Sequence, residues 1–162
     1  MVSELNTQWL DAPQQVIWRN FLAANAVISE RMDTALRPFG LDLGEYEILV
    51  VLSESPKMQL RMSDLAVAVH QSRSRLTHTV TRMEQKDLLL RKACADDRRG
   101  VIAVLTAKGF RLLEEAAPTH VGSVREAFVD LVAPNDFQAV GRAVAAVVED
   151  AGLSSWSPSV PA

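Results

Sequence analysis

The chain has 162 residues, 48% hydrophobic and 23% charged, with a formal net charge of −3; that suits one folded domain and excludes a disordered chain. No apolar run reaches the ~18 residues of a membrane span, and Met1–Asn6 lacks the basic-then-apolar layout of a signal peptide. The expectation is a soluble, cytoplasmic protein with no membrane partner. The charge is divided. From Lys57 to Arg111 there are 12 Lys and Arg against 5 Asp and Glu, and the rest of the chain reverses the balance at 5 against 15. One basic block between acidic flanks is the footprint of a positioned nucleic-acid-binding patch rather than of a protein that coats DNA indiscriminately.

In chain order, Pro13 to about Leu36 reads as an amphipathic helix, with Ile17, Phe21, Ala24 and Ile28 at helical spacing and Pro38–Gly40 as its stop. Asp42 and Glu45 have capping-box spacing ahead of a second helix, which carries Tyr46, Leu49 and Leu52 on one face and ends at Pro56. Ser63 is the expected cap of a short third helix with Leu65, Ala66 and Val69. After a turn at His70–Ser72, Ser72 caps a fourth helix, about Arg73 to Lys86. Two short helices joined in this way form a helix-turn-helix. Leu88–Cys94 and Val101–Leu105 then read as a hairpin around a charged tip. Thr106 opens a long helical pattern that Pro118 and Gly122 are expected to bend. Pro134 starts a last helix with Phe137, Val140, Val144 and Val147. Residues 154–162, rich in Ser and Pro, read as a mobile tail that Trp156 can anchor.

Two stretches carry a family resemblance. Gln71-Ser-Arg-Ser-Arg-Leu-Thr-His-Thr-Val-Thr-Arg-Met-Glu-Gln-Lys-Asp87 is similar to the recognition helix and its exit in the MarR family of bacterial transcriptional regulators. Asp97-Arg-Arg-Gly-Val-Ile-Ala-Val-Leu-Thr106 fits that family's wing pattern of Asp-x-Arg, five residues, then Leu-Thr. The resemblance spans roughly residues 9–150. It implies a mainly α fold with a small β-hairpin wing, a winged helix-turn-helix lobe within a helical dimer scaffold. Within a single domain over 1–162, the DNA-binding lobe is expected at 57–105 and the dimerisation helices at 9–40 and 106–150. Asp87 stands where many members have glycine; aspartate tolerates the left-handed conformation better than most residues.

At 100° per residue, Leu76, Val80 and Met83 share the inward side of the fourth helix, and Ser74, His78, Thr81, Arg82 and Gln85 the outward side. A helix in the major groove reads bases with its N-terminal turns, which selects Ser74, Arg75 and His78 for base edges. Thr77 and Arg82 are assigned to phosphates, as is Ser72 besides its cap. The resemblance implies that Arg99 enters the minor groove with Asp97 bracing it; Arg98 is an added cation for phosphate. It also implies a homodimer on double-stranded DNA with a pseudo-palindromic operator, acting as a ligand-responsive repressor. Its effector would be a small aromatic or phenolic molecule, for which Trp18, Tyr46 and His120 are the candidate cleft residues. The alternative reading is a sequence-tolerant architectural DNA-binding protein, and a third is a module whose helix-turn-helix docks protein.

Other chemistry is not indicated. His70, His78 and His120 have no metal-ligand spacing, and no cofactor motif is present. The absence of a glycine-rich phosphate loop or nucleophile elbow argues against an enzyme. Cys94, the sole cysteine, lies in the wing, where a strand cysteine is usually an inert small hydrophobe.

Overall fold

The computed structural model describes residues 7–94 and 100–152. Six α-helices and three strands follow one another as α1 (Ala12–Leu36), α2 (Leu43–Glu54), β1 (Gln59–Arg61), α3 (Met62–Ala68), α4 (Arg73–Gln85), β2 (Leu89–Ala93), β3 (Val101–Leu105), α5 (Ala107–Ala127) and α6 (Pro134–Asp150). The chain is mainly helical, with a small antiparallel sheet of order β1-β3-β2. No helix among the described residues is long and apolar enough to cross a membrane.

Local chemistry sets most of the boundaries. Asp11 caps α1 and Asp42 caps α2, each in a reciprocal capping box, with Gln14 and Glu45 respectively. A single 3-10 turn at Arg37–Phe39 closes α1, and Gly40 follows at φ +68°, the left-handed conformation that glycine adopts without strain. Asp87, which ends the α4 exit, also has positive φ, at +59°. Its carbonyl accepts from Thr106 Oγ1 at 2.7 Å, so the residue that stands in for glycine is fastened as well as tolerated.

Two elements differ from the sequence reading. Ser63 does not cap α3: Arg61 holds the N-cap position, and the Ser63 hydroxyl donates to Asp64 Oδ1 at 2.9 Å. The cause is β1, a third strand that the sequence reading lacks. It pairs with β3 through Gln59↔Val104, Leu60↔Ala103 and Arg61↔Ile102, so the chain leaves the sheet directly into the helix. Pro118 and Gly122 both lie within α5, which continues through them. The proline removes the helical donor to the Glu114 carbonyl on an exposed side, while Leu113 and Ala116 one turn earlier are buried in the core.

The core lies where α2, α3 and α4 meet the sheet and the first half of α5. Leu36, Ile48, Leu49, Leu52, Leu65 and Val80 are fully buried there. In contrast, α6 buries none of its residues, and α1 buries only Leu36. Val16, Ile17, Trp18, Phe21 and Leu22 of α1 remain exposed, as do Phe137, Val140, Val144 and Val147 of α6. So large an apolar surface on two long helices is more than a solvated monomer ordinarily shows.

The start of α5 sits hard against the end of α4's exit. A Cβ on Gly109 would lie 2.1 Å from the Leu88 carbonyl oxygen and 2.9 Å from Leu105 Cδ1. Because the first of these is backbone, Gly109→Ala is expected to destabilise the fold by about 1–3 kcal/mol. Urea unfolding measures it, and an unchanged midpoint would contradict so close an approach.

Candidate nucleic-acid interface

The turn between α3 and α4 is a short run of backbone hydrogen bonds: His70 N–H to Val67 O at 3.1 Å and Gln71 N–H to Ala66 O at 3.0 Å. His70 takes φ +50° to reverse the chain. Ser72 then caps α4, its Oγ accepting from Arg75 N at 3.2 Å. This fixes the first turn of α4 with its free N–H groups outward, as a helix that meets phosphate or base edges requires.

The two faces of α4 fall as its period requires. Leu76, Val80 and Met83 are buried, and Thr79 joins them, which the sequence reading did not foresee. Thr79 is tolerated inside because its Oγ1 donates to Arg75 O at 3.2 Å. Ser72, Ser74, Arg75, Thr77, His78 and Arg82 are all exposed along one side. Thr77 Oγ1 donates back to Arg73 O at 2.8 Å, so its hydroxyl hydrogen is engaged within the helix. Arg82 is engaged too, with its NH2 2.9 Å from Asp42 Oδ2 and its Nε 3.6 Å from Glu45 Oε1.

Beside α4 the wing strands pair Leu89↔Leu105 through Ala93↔Val101, and Cys94 N–H donates to Gly100 O at 2.8 Å. Cys94 itself is buried. The wing is latched to α4 by Arg91, whose Nε and backbone N–H reach the two Glu84 carboxylate oxygens at 2.8 and 2.7 Å. These bonds from Arg91 hold the Glu84 carboxyl below its ordinary range. Asp97, Arg98 and Arg99, the wing-tip residues assigned to DNA, lie outside the described residues, as do 153–162 with Trp156.

Two hollows flank this lobe. A polar one of about 790 Å³ lies between the exposed side of α4 and the helices α1 and α2, and is lined by Arg75, His78 and Arg82, by Gln71 and by acidic residues of α1 and α2. A more apolar cleft of about 780 Å³ is lined by Met32, Tyr46, Val50, Leu60, Val67 and His120. Leu43, Glu47, Val69 and His70 border both. Burial raises the Glu47 carboxyl, against the opposing positive charges of His70 and Arg75.

In the apolar cleft the Tyr46 and His120 rings meet at 4.3 Å. Burial lowers the His120 imidazole and raises the Tyr46 phenol, so both rings are neutral at neutral pH. The His120 Nδ1 is buried with no hydrogen-bond partner among the described residues. Trp18 does not line this cleft. It stands 52% exposed on α1 and stacks on Phe21 at 5.9 Å. The three candidate cleft residues are thus divided between a cleft and an outer face, because Trp18 lies in the exposed N-terminal half of α1, about four turns before Met32, which lines the cleft.

Comparison with known proteins agrees with this geometry. The MarR family model matches residues 41–101. AbsC, a MarR family transcriptional regulator from Streptomyces coelicolor, is 46% identical; the match covers 89% of this chain and 97% of AbsC, with a TM-score of 0.83. Sco3205 from the same organism, a MarR family transcriptional regulator solved in complex with DNA, is 36% identical over 93% of this chain and 96% of its own, with a TM-score of 0.84. Among curated proteins, the transcriptional regulator MhqR of Bacillus subtilis is 31% identical over 102 residues, 61% of this chain and 67% of MhqR. On a winged helix with this outward face and on relatives matched over nearly their whole length, the chain belongs to the MarR family of DNA-binding transcriptional regulators.

Proposed function

We propose that the chain is a homodimeric repressor that binds a pseudo-palindromic operator and releases it when a small aromatic or phenolic molecule fills the Tyr46–His120 cleft. The observation that carries the reading is the division of α4 into a fully buried ridge and a continuous exposed polar side. That side offers Ser74, Arg75 and His78 in the turns that enter a major groove first. Ser72 and Thr77 serve phosphates, the latter once its hydroxyl turns outward from the Arg73 carbonyl to donate. Arg99, braced by Asp97, reaches the minor groove, and Arg98 the adjacent phosphates. That Sco3205, 36% identical, was solved in complex with DNA supports DNA binding here.

The uncovered apolar sides of α1 and α6 support a two-fold dimer, with 9–40 and 106–150 as the dimerisation helices and 57–105 as the DNA-binding lobe. Trp18 and Phe21 then belong to the dimer region rather than to the cleft. The cleft supports the effector reading. It is largely apolar, with the Tyr46 and His120 rings in its lining. No lysine or arginine is among the described residues that line it, so an uncharged aromatic fits it better than an aromatic acid. Glu47, which lines the polar hollow together with Arg75, is a physical route from cleft to recognition helix. The working compartment is the cytoplasm, with the DNA.

Capture of sheared genomic DNA by the purified protein at physiological salt tests the function. Recovery of a few fragments sharing a pseudo-palindrome supports it; even recovery of all fragments would establish the architectural alternative, and no recovery a protein-docking module. On the captured operator, Arg75→Ala is expected to relax specificity at one base position at a cost of about 1–3 kcal/mol. Uniform weakening on all sequences would contradict base reading by Arg75. Arg99→Ala should weaken binding most where the flanks are A·T-rich, and equal loss on all flanks would contradict the minor-groove assignment.

A further inference from the structure

The charge of Arg82 suits a phosphate, yet both ends of its guanidinium face carboxylates of α2. Asp42 Oδ2 lies 2.9 Å from NH2, and Glu45 Oε1 lies 3.6 Å from Nε. Lys86, four residues on at the C-cap of α4, completes the arrangement. Its Nζ donates to Glu45 Oε1 and Oε2 at 3.0 and 2.9 Å and to the Gly40 carbonyl at 2.9 Å, which uses all three ammonium hydrogens. Glu45 is 2% exposed, so its carboxylate has these cations in place of water. The same two acids form the capping box of α2, with Asp42 Oδ1 accepting from Glu45 N at 2.7 Å. Upstream, Asp33 of α1 accepts from Leu43 N at 3.1 Å. One polar chain therefore runs from the end of α1, through the first turn of α2, to the last turns of α4.

We propose that Arg82 is a positioning residue and not a phosphate contact. With Lys86 it clamps the C-terminal half of α4 to the first turn of α2 through Asp42 and Glu45, and so sets the angle at which Ser74, Arg75 and His78 are presented. The inference rests on the reading of α4 as the recognition helix. Helix position and DNA contact make opposite demands on Asp42. A clamp needs its negative charge, whereas a phosphate held by Arg82 would be repelled by it.

Asp42→Asn separates the two, because asparagine keeps the capping oxygen but offers Arg82 no second carboxylate oxygen. Fluorescence anisotropy on a labelled duplex from the genomic capture, over a series of KCl concentrations, compares the wild type with Asp42→Asn, Arg82→Gln and the double variant. Thermal melts identify the folded species. The clamp expects each single variant to bind roughly three- to thirty-fold more weakly, the size of one broken coupling, with the double variant no weaker than the worse single. The slope of log K against log salt stays at the wild-type value. A slope shallower by about 0.9 in Arg82→Gln, the loss of one phosphate contact, or undiminished binding by Asp42→Asn would overturn the proposal. Failure of the wild type to bind any duplex would sink the DNA-binding reading instead. The clamp then stands or falls on hydrogen exchange in the free protein. Amides of Arg73–Gln85 should exchange faster in both single variants, and unchanged exchange would overturn it.

Discussion

Everything this chain can present to a nucleic acid depends on how α4 is seated. Leu76, Val80 and Met83 lie fully in the core, and burial of such side chains contributes roughly 1.5–3 kcal/mol each. That burial holds the helix down but tolerates small rotations and slides, because apolar contact is not directional. The Glu45 carboxylate, buried and met by Lys86 at 2.9 Å, is directional. Removing one member of such a group strands a charge away from water, at a cost of roughly 3–5 kcal/mol. Ridge and carboxylate together leave α4 one orientation, and the outward side with Ser74, Arg75 and His78 follows from it. At the other edge the Glu84–Arg91 latch ties the wing to the same helix.

The molecule is unevenly finished. Its centre is closed by α2, α3, α4 and the sheet, while α1 and α6 carry Ile17, Phe21, Val144 and Val147 into solvent. A lobe that is complete and two helices that are not divide the chain into a reader and a scaffold. Under the proposed function, the scaffold joins two readers at fixed separation, and the Tyr46–His120 cleft lies where the two parts meet. On that proposal a ligand there acts on the angle between reader and scaffold, and only a ligand that prefers one angle changes DNA affinity.

Much of this was legible in the residues because it is local. The capping pairs Asp42–Glu45 and Ser72–Arg75, the stop at Gly40, the left-handed Asp87 and the inward trio on α4 all follow from spacing within one turn or one helix. The missing parts are those that depend on what arrives from elsewhere. β1 is three residues with a single apolar side chain, too short to show a period, and exists because β3 is beside it. Glu45 reads as an ordinary capping acid until Lys86, 41 residues on, buries it. Gly109 looks like a poor helix residue until the Leu88 carbonyl occupies the space of its Cβ. Thr79, left off the inward trio because it is polar, is buried beside Val80. Trp18 was grouped with Tyr46 by chemistry, whereas its place along α1, in the half of the helix that nothing covers, keeps it from the cleft. The family motifs were the exception, since they encode non-local arrangement in a local string.

The central claim is that two copies of α4 meet one DNA face together. Hydroxyl-radical footprinting of the wild-type protein on a captured operator measures this directly. The account expects two protected patches on the same face of the duplex, related by a two-fold axis and about 34 Å apart. A single patch of half that extent, or continuous protection without a repeat, would contradict it.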